Sequence, residues 1–175
     1  MDHLQSQLDR LNELPEAEAT AEFLKCCGSR TWAKGMATSR PFASLEELRA
    51  KATDLWWNAE SADWLEAFRS HPKIGEKKAA AEVSNQSQSW SSQEQSGIAS
   101  AAVSTISELA QLNREYEEKF GYIFIVCATG KPSEEMLAIL KSRLGNSPND
   151  ELRIAAAEQA KITEIRLMKL LDSLS

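Results

Sequence analysis

Cysteine, histidine and long apolar runs are all scarce in this chain of 175 residues. The three cysteines are Cys26, Cys27 and Cys127. An odd number with one adjacent pair does not form a disulfide framework, and there is no C-x-x-C motif. The two histidines are His3 and His71. Without an H-E-x-x-H motif or a Cys/His cluster, no metal centre is expected. Phosphate-binding glycine loops and the G-x-S-x-G nucleophile elbow are missing too, so any chemistry here falls to side chains without a cofactor. No apolar stretch reaches the roughly 20 residues that span a bilayer, and no membrane association is expected. Met1-Asp2-His3-Leu4-Gln5 lacks the basic start and apolar centre of a signal peptide, and a cytoplasmic location is the simplest expectation.

Acidic residues outnumber basic ones, 26 to 20, for a net charge of −6 and a pI near 5.1. Nucleic-acid affinity comes from basic clusters that neutralise phosphates, and none is present. The hydrophobic content, 42%, and the charged content, 26%, are those of a globular chain, and the length fits a single domain over 1–175.

The periodicity is helical almost throughout and predicts an all-α bundle of about eight helices. Leu4, Leu8, Leu11 and Leu14 line one helix face that Pro15 ends. A second helix is expected over 16–27. Ser44-Leu45-Glu46-Glu47 reads as a capping box, with Glu47 reaching back to Ser44. Ser61 is expected to cap the next helix, which must stop near His71 because Pro72 follows. The polar run from Ser84 to Ser89 lacks periodicity and suggests a loop over 72–90, a length often tied to function. Ser91-Ser92-Gln93-Glu94 reads as a second capping box opening the longest helix. Ser133 is expected to cap a further helix closed by Gly145, and the last helix follows Pro148. One segment breaks the pattern. Residues 122–128, Tyr-Ile-Phe-Ile-Val-Cys-Ala, read as a lone buried extended segment whose backbone groups need side chains, water or an amide-rich ligand as partners.

Several residues invite two readings. His71 is either a helix-end histidine or the acid/base of a reaction. Glu94 is explained by capping alone, yet a helix start also binds anions. On the wheel of the last helix, Gln159, Thr163 and Arg166 share the stripe of Leu152, Ala156, Leu170 and Leu174. A polar triplet on a buried face needs either an internal network or a ligand. Arginine's planar fork suits a carboxylate or a polarised carbonyl. Cys127 lies in an apolar run, where inert core is commoner than a thiol nucleophile.

The ordered set of motifs resembles the OHCU decarboxylases, which act on 2-oxo-4-hydroxy-4-carboxy-5-ureidoimidazoline. It comprises Asp63-Trp64-Leu65-Glu66-Ala67-Phe68 leading into His71-Pro72-Lys73-Ile74-Gly75, Trp90-Ser91-Ser92-Gln93-Glu94-Gln95, and Leu112-Asn113 with Tyr116 and Phe120-Gly121-Tyr122. Arg143-Leu144-Gly145-Asn146 and Lys161-Ile162-Thr163-Glu164-Ile165-Arg166-Leu167 complete it, with Cys27-Gly28-Ser29 and Trp32-Ala33 upstream. Departures are few. Tyr122-Ile123-Phe124 stands where the family often has Phe-Pro-Phe, Thr129 lies where a basic residue is frequent, and Lys73-Ile74 replaces an acidic-leucine pair.

The resemblance implies an all-helical, cofactor-free homodimer that converts this small molecule to (S)-allantoin and CO₂ in urate breakdown. It implies His71 as acid/base and Glu94 as its partner. For substrate binding it implies Arg166, Pro72, Ser91, Ser92, Gln93 and Gln95, with backbone groups of Val126, Cys127, Ala128, Thr129 and Gly130. The competing reading is a helical interaction module whose polar triplet is only a buried network.

Overall fold

The computed structural model describes residues 2–72, 85–94 and 103–175. Among these the fold is all-α, with nine helices: α1 His3–Glu13, α2 Glu16–Cys26, α3 Arg30–Thr38, α4 Leu45–Trp57, α5 Ser61–Arg69, α6 Asn85–Glu94, α7 Val103–Phe120, α8 Ser133–Leu144 and α9 Pro148–Ser173. No described residue lies in a strand. No described helix is long and apolar enough to cross a membrane. The chain divides into two compact units, one of Met1–Ala67 with Ala160–Ser175, the other Phe68–Gln159.

In the first unit, the expected leucine stripe of α1 buries Leu8 and Leu11. Helix α3 carries no periodic leucines and escaped the hydrophobic pattern. Its signal is Ser29, whose hydroxyl accepts from Trp32 N–H at 3.2 Å and satisfies one of the free donors of the first turn. Trp32 is then buried edge-on to Phe23, and its indole N–H donates to Ala52 O on α4 at 3.1 Å. The Ser44 cap forms as expected, with Glu47 N–H donating to Ser44 Oγ at 3.1 Å. Glu47 itself reaches past Ser44 and accepts from Ala43 N–H at 2.7 Å.

Two other expected caps are corrected. Ser61 is already the first residue of α5; Glu60 O accepts from the Asp63 and Trp64 amides, and the Asp63 carboxylate accepts from Glu60 N–H. Ser133 is likewise the first residue of α8, with Pro132 in the capping position and no side-chain cap.

The second unit packs α7 and α8 around residues 123–128. Helix α7 buries Leu109, Asn113 and Tyr116, and α8 buries Met136, Leu137 and Leu140. Phe124, Val126 and Ala128 join that cluster, whereas Ile125 and Cys127 are buried outside it. This alternation of period two is the mark of an extended chain. Gly121 ends α7 at φ 83° and Gly130 turns the chain at φ 74°, both in the left-handed region that glycine tolerates.

Helix α6 overturns the expected loop. Residues 85–89 are helical although they read Asn-Gln-Ser-Gln-Ser. Propensity and periodicity are weak guides here, because a single buried aromatic, Trp90, is the helix's main apolar anchor. Ser91 lies inside this helix rather than before its first turn, so the capping box expected over 91–94 does not open a helix there. The rest of the expected 72–90 loop, 73–84, lies outside the described residues.

Candidate functional site

His71 lies two residues beyond the end of α5. Its N–H donates to Phe68 O at 3.2 Å, and half-buried Pro72 prevents the helix from continuing. The imidazole is buried, with Nε2 at 2.6 Å from Oε1 of Gln159, a residue with no exposed surface. With the amide oriented this way its oxygen accepts, so Nε2 carries the proton. Gln159 was legible in the sequence only as a polar residue on a buried stripe. Its pairing with His71, 88 positions away, was not.

Glu94 is buried as the last described residue of α6, and Ser91, one turn earlier, is buried too. With no cap at Ser91, capping no longer accounts for Glu94. What stands is a carboxylate taken out of water, which costs free energy unless charge or hydrogen bonds compensate. Gln93 is exposed. Ser92 also lies on α6. Gln95 falls outside the described residues.

The extended segment has been given its partners by charged side chains. Arg143 Nη1 donates to Ile125 O at 2.6 Å, and Cys127 N–H donates to Glu158 Oε1 at 3.1 Å. Lys131 Nζ donates to Cys127 O at 2.7 Å, and a turn closes with Lys131 N–H on Ala128 O at 3.0 Å. In an extended chain the backbone N–H and C=O groups of successive residues point to opposite edges. Ile125 and Cys127 therefore commit one edge to protein. Among the described residues, no hydrogen bond engages the N–H or C=O of Val126, on the other edge. Val126 is nonetheless buried, and Thr129 and Gly130, beyond it, are exposed.

Arg166 belongs to the other unit. The polar triplet is buried as its stripe predicted: Gln159 fully, Thr163 and Arg166 nearly so. Arg166 Nη1 donates to Lys25 O at 3.3 Å, and its charge acts on both neighbouring thiols. Burial outweighs that cation. It pushes Cys26 well above the ordinary thiol range and Cys27 up to about 12, the latter in spite of hydrogen bonds from Ser29 and Thr163. Neither thiol is a nucleophile at neutral pH. A cavity of about 160 Å³ in this unit is walled by Trp56 and Trp57 and meets the polar triplet at Thr163 but not at Arg166. No group of His, Cys, Asp and Glu among the described residues could hold a metal ion.

The family profile described as OHCU decarboxylase matches residues 12–168. The chain belongs to the OHCU decarboxylase family. Among its relatives, the uric acid degradation bifunctional protein of Arabidopsis thaliana is 45% identical over 150 residues, covering 85% of this chain and 46% of that protein. The 2-oxo-4-hydroxy-4-carboxy-5-ureidoimidazoline decarboxylase of Haloferax volcanii is 27% identical, covering 95% and 96%. The chain thus spans less than half the length of the bifunctional relative and nearly all of the single-function one. A crystal structure of OHCU decarboxylase determined in the presence of (S)-allantoin shares 43% identity and a TM-score of 0.74, covering 86% of this chain and 97% of the other. At 18% identity and a TM-score of 0.68, a structure of (S)-allantoin synthase shares the fold.

Proposed function

We propose that this protein is a carboxy-lyase that converts 2-oxo-4-hydroxy-4-carboxy-5-ureidoimidazoline to (S)-allantoin and CO₂ in urate breakdown, as one domain over 1–175, without metal or organic cofactor, and as a cytoplasmic homodimer. The observation that carries the reading is a buried histidine with one ring nitrogen already held by a buried amide, in a chain of this family. Such a histidine has a set orientation, and imidazole is the side chain that exchanges protons near neutral pH.

The chemistry then runs as follows. The bond from the ring carbon to the carboxylate breaks, CO₂ leaves, and the electron pair passes into the ring. A proton must next arrive on one face only, or the product is racemic. His71 delivers that proton. Glu94 holds charge or a proton opposite the imidazole, and Arg166 binds an oxygen of the substrate with its planar fork. The open edge at Val126, with the backbone of Cys127 to Gly130, hydrogen-bonds the ring and ureido amides. Pro72 fixes the chain beside His71, and Ser91, Ser92, Gln93 and Gln95 complete the polar surroundings.

The test is to supply the enzymatically generated substrate and follow allantoin by circular dichroism against the spontaneous reaction. An accelerated, one-handed signal that survives exhaustive EDTA dialysis is expected, from a particle of twice the chain mass by light scattering. A racemic product at the background rate would leave the helical interaction module as the better reading.

A further inference from the structure

Arg143 and Glu151 form an ion pair with almost no exposed surface, at 6% and 0% of their side chains. Glu151 Oε2 accepts from Nε at 2.9 Å and Nη2 at 2.5 Å, and also from the Tyr116 hydroxyl. Its second oxygen accepts from Asn146 Nδ2 at 3.0 Å. Burial and the hydrogen bond to Glu151 push the Tyr116 hydroxyl far above the ordinary phenol range, so it stays a donor. Taking two charges out of water usually costs more than their attraction returns, and apolar residues of similar volume often stabilise as well. The pair therefore needs a reason besides stability.

The geometry offers one. The nitrogen that Glu151 does not use, Nη1, donates to Ile125 O at 2.6 Å, and the guanidinium lies 4.6 Å from the centre of the Phe124 ring. Arg143 thus grips two successive residues of the extended segment, one by its carbonyl and one by its ring. Its plane is set in turn by Glu151 and Tyr116. Turning Ile125 O toward Arg143 commits the odd-numbered edge to protein, and among the described residues the Val126 edge carries no hydrogen bond. A neutral donor could satisfy one carbonyl; a fork locked by a buried carboxylate fixes the direction as well.

From this geometry we infer that Arg143, oriented by Glu151 and Tyr116, is a positioning residue that holds the Val126 edge in the register needed to bind a cyclic ureide. This rests on the proposed function for the identity of the ligand, but the hold on the segment does not.

Two variants and two readouts test it. The double variant Arg143→Met/Glu151→Leu removes both charges together and leaves no orphan ion. Arg143→Lys keeps the cation but has one nitrogen for two partners. Amide hydrogen exchange needs no ligand. Exchange at 125–128 should quicken by about tenfold or more while the interior of α7 stays protected, the size expected when one charged hydrogen bond is lost. Calorimetry with allantoin should show affinity falling by about the same factor, with KM rising more than kcat falls. If the double variant does not fold, Arg143→Lys decides by the same two readouts. Folded variants with unchanged exchange at 125–128 and unchanged allantoin affinity would reduce the pair to a core contact and overturn the inference. A wild-type protein that neither binds allantoin nor forms it would instead sink the proposed function, and the exchange result would still decide whether Arg143 holds the segment.

Discussion

His71 Nε2 lies 2.6 Å from Gln159 Oε1, inside one compact unit and shielded from solvent. The contact settles which ring nitrogen is engaged, and it makes Gln159 the partner whose loss the histidine should feel. Gln159→Leu removes the acceptor and leaves Nε2–H buried without one. The histidine then loses its orientation, and kcat should fall by about tenfold to a hundredfold, since an unsatisfied buried donor costs roughly 1–3 kcal/mol. Gln159→Glu restores an acceptor and adds a negative charge, which favours the imidazolium. The pH-rate profile should therefore move to higher pH in Gln159→Glu. Superimposable profiles for wild type and Gln159→Glu would show that the contact has no part in proton transfer.

His71 and Glu94 should behave as a unit. His71→Asn keeps size and some hydrogen bonding but has no transferable proton, and should cost on the order of 10²–10⁴ in rate. Glu94→Gln should cost a similar amount, because α6 gives Glu94 no capping task that glutamine could take over. The double variant should be little worse than either single one. Initial rates and product handedness decide the matter; full activity with full (S) selectivity in Glu94→Gln would remove Glu94 from the reaction.

Arg166→Lys tests the planar fork. The buried helix face should accept the lysine stem, and the fold should persist by circular dichroism. Allantoin binding should weaken by about tenfold or more, the loss expected when a hydrogen bond to a charged group goes, roughly 1.5–3 kcal/mol. Equal affinity in both forms would leave Arg166 as a structural residue on Lys25 O.

Cys26 and Cys27 should resist alkylation. Both are buried and both hold their protons far above neutral pH, so iodoacetamide at pH 8 should label neither until the chain unfolds. The same shift has a consequence for stability. In the folded chain Cys27 keeps its proton up to about 12, whereas an ordinary thiol loses it near 9.0. The unfolded chain thus binds fewer protons above pH 9, and stability should decline from there to about 12. A denaturation midpoint that stays flat across that window would contradict the buried placement of these thiols.

What depends on near neighbours in the chain is legible without the fold. The leucine spacing of α1, the Ser44 cap, the end of α5 before Pro72 and the polar triplet on α9 all follow from helical periodicity, backbone sterics and short-range hydrogen bonding. Helices α3 and α6 were harder because one relies on a serine cap and the other on little more than buried Trp90. The motif at 91–94 misled for a related reason: a serine and a glutamate three apart form a capping box only if the helix begins there, and it does not. Tertiary structure alone decided the partners. That His71 meets Gln159, that Arg143 and Glu158 hold the alternate residues Ile125 and Cys127 of the extended segment, and that the Val126 edge is left over are matters of pairing across long stretches of chain. Periodicity can say that a polar group is buried. Which group satisfies it depends on where the folded helices bring distant side chains, and no local pattern encodes that.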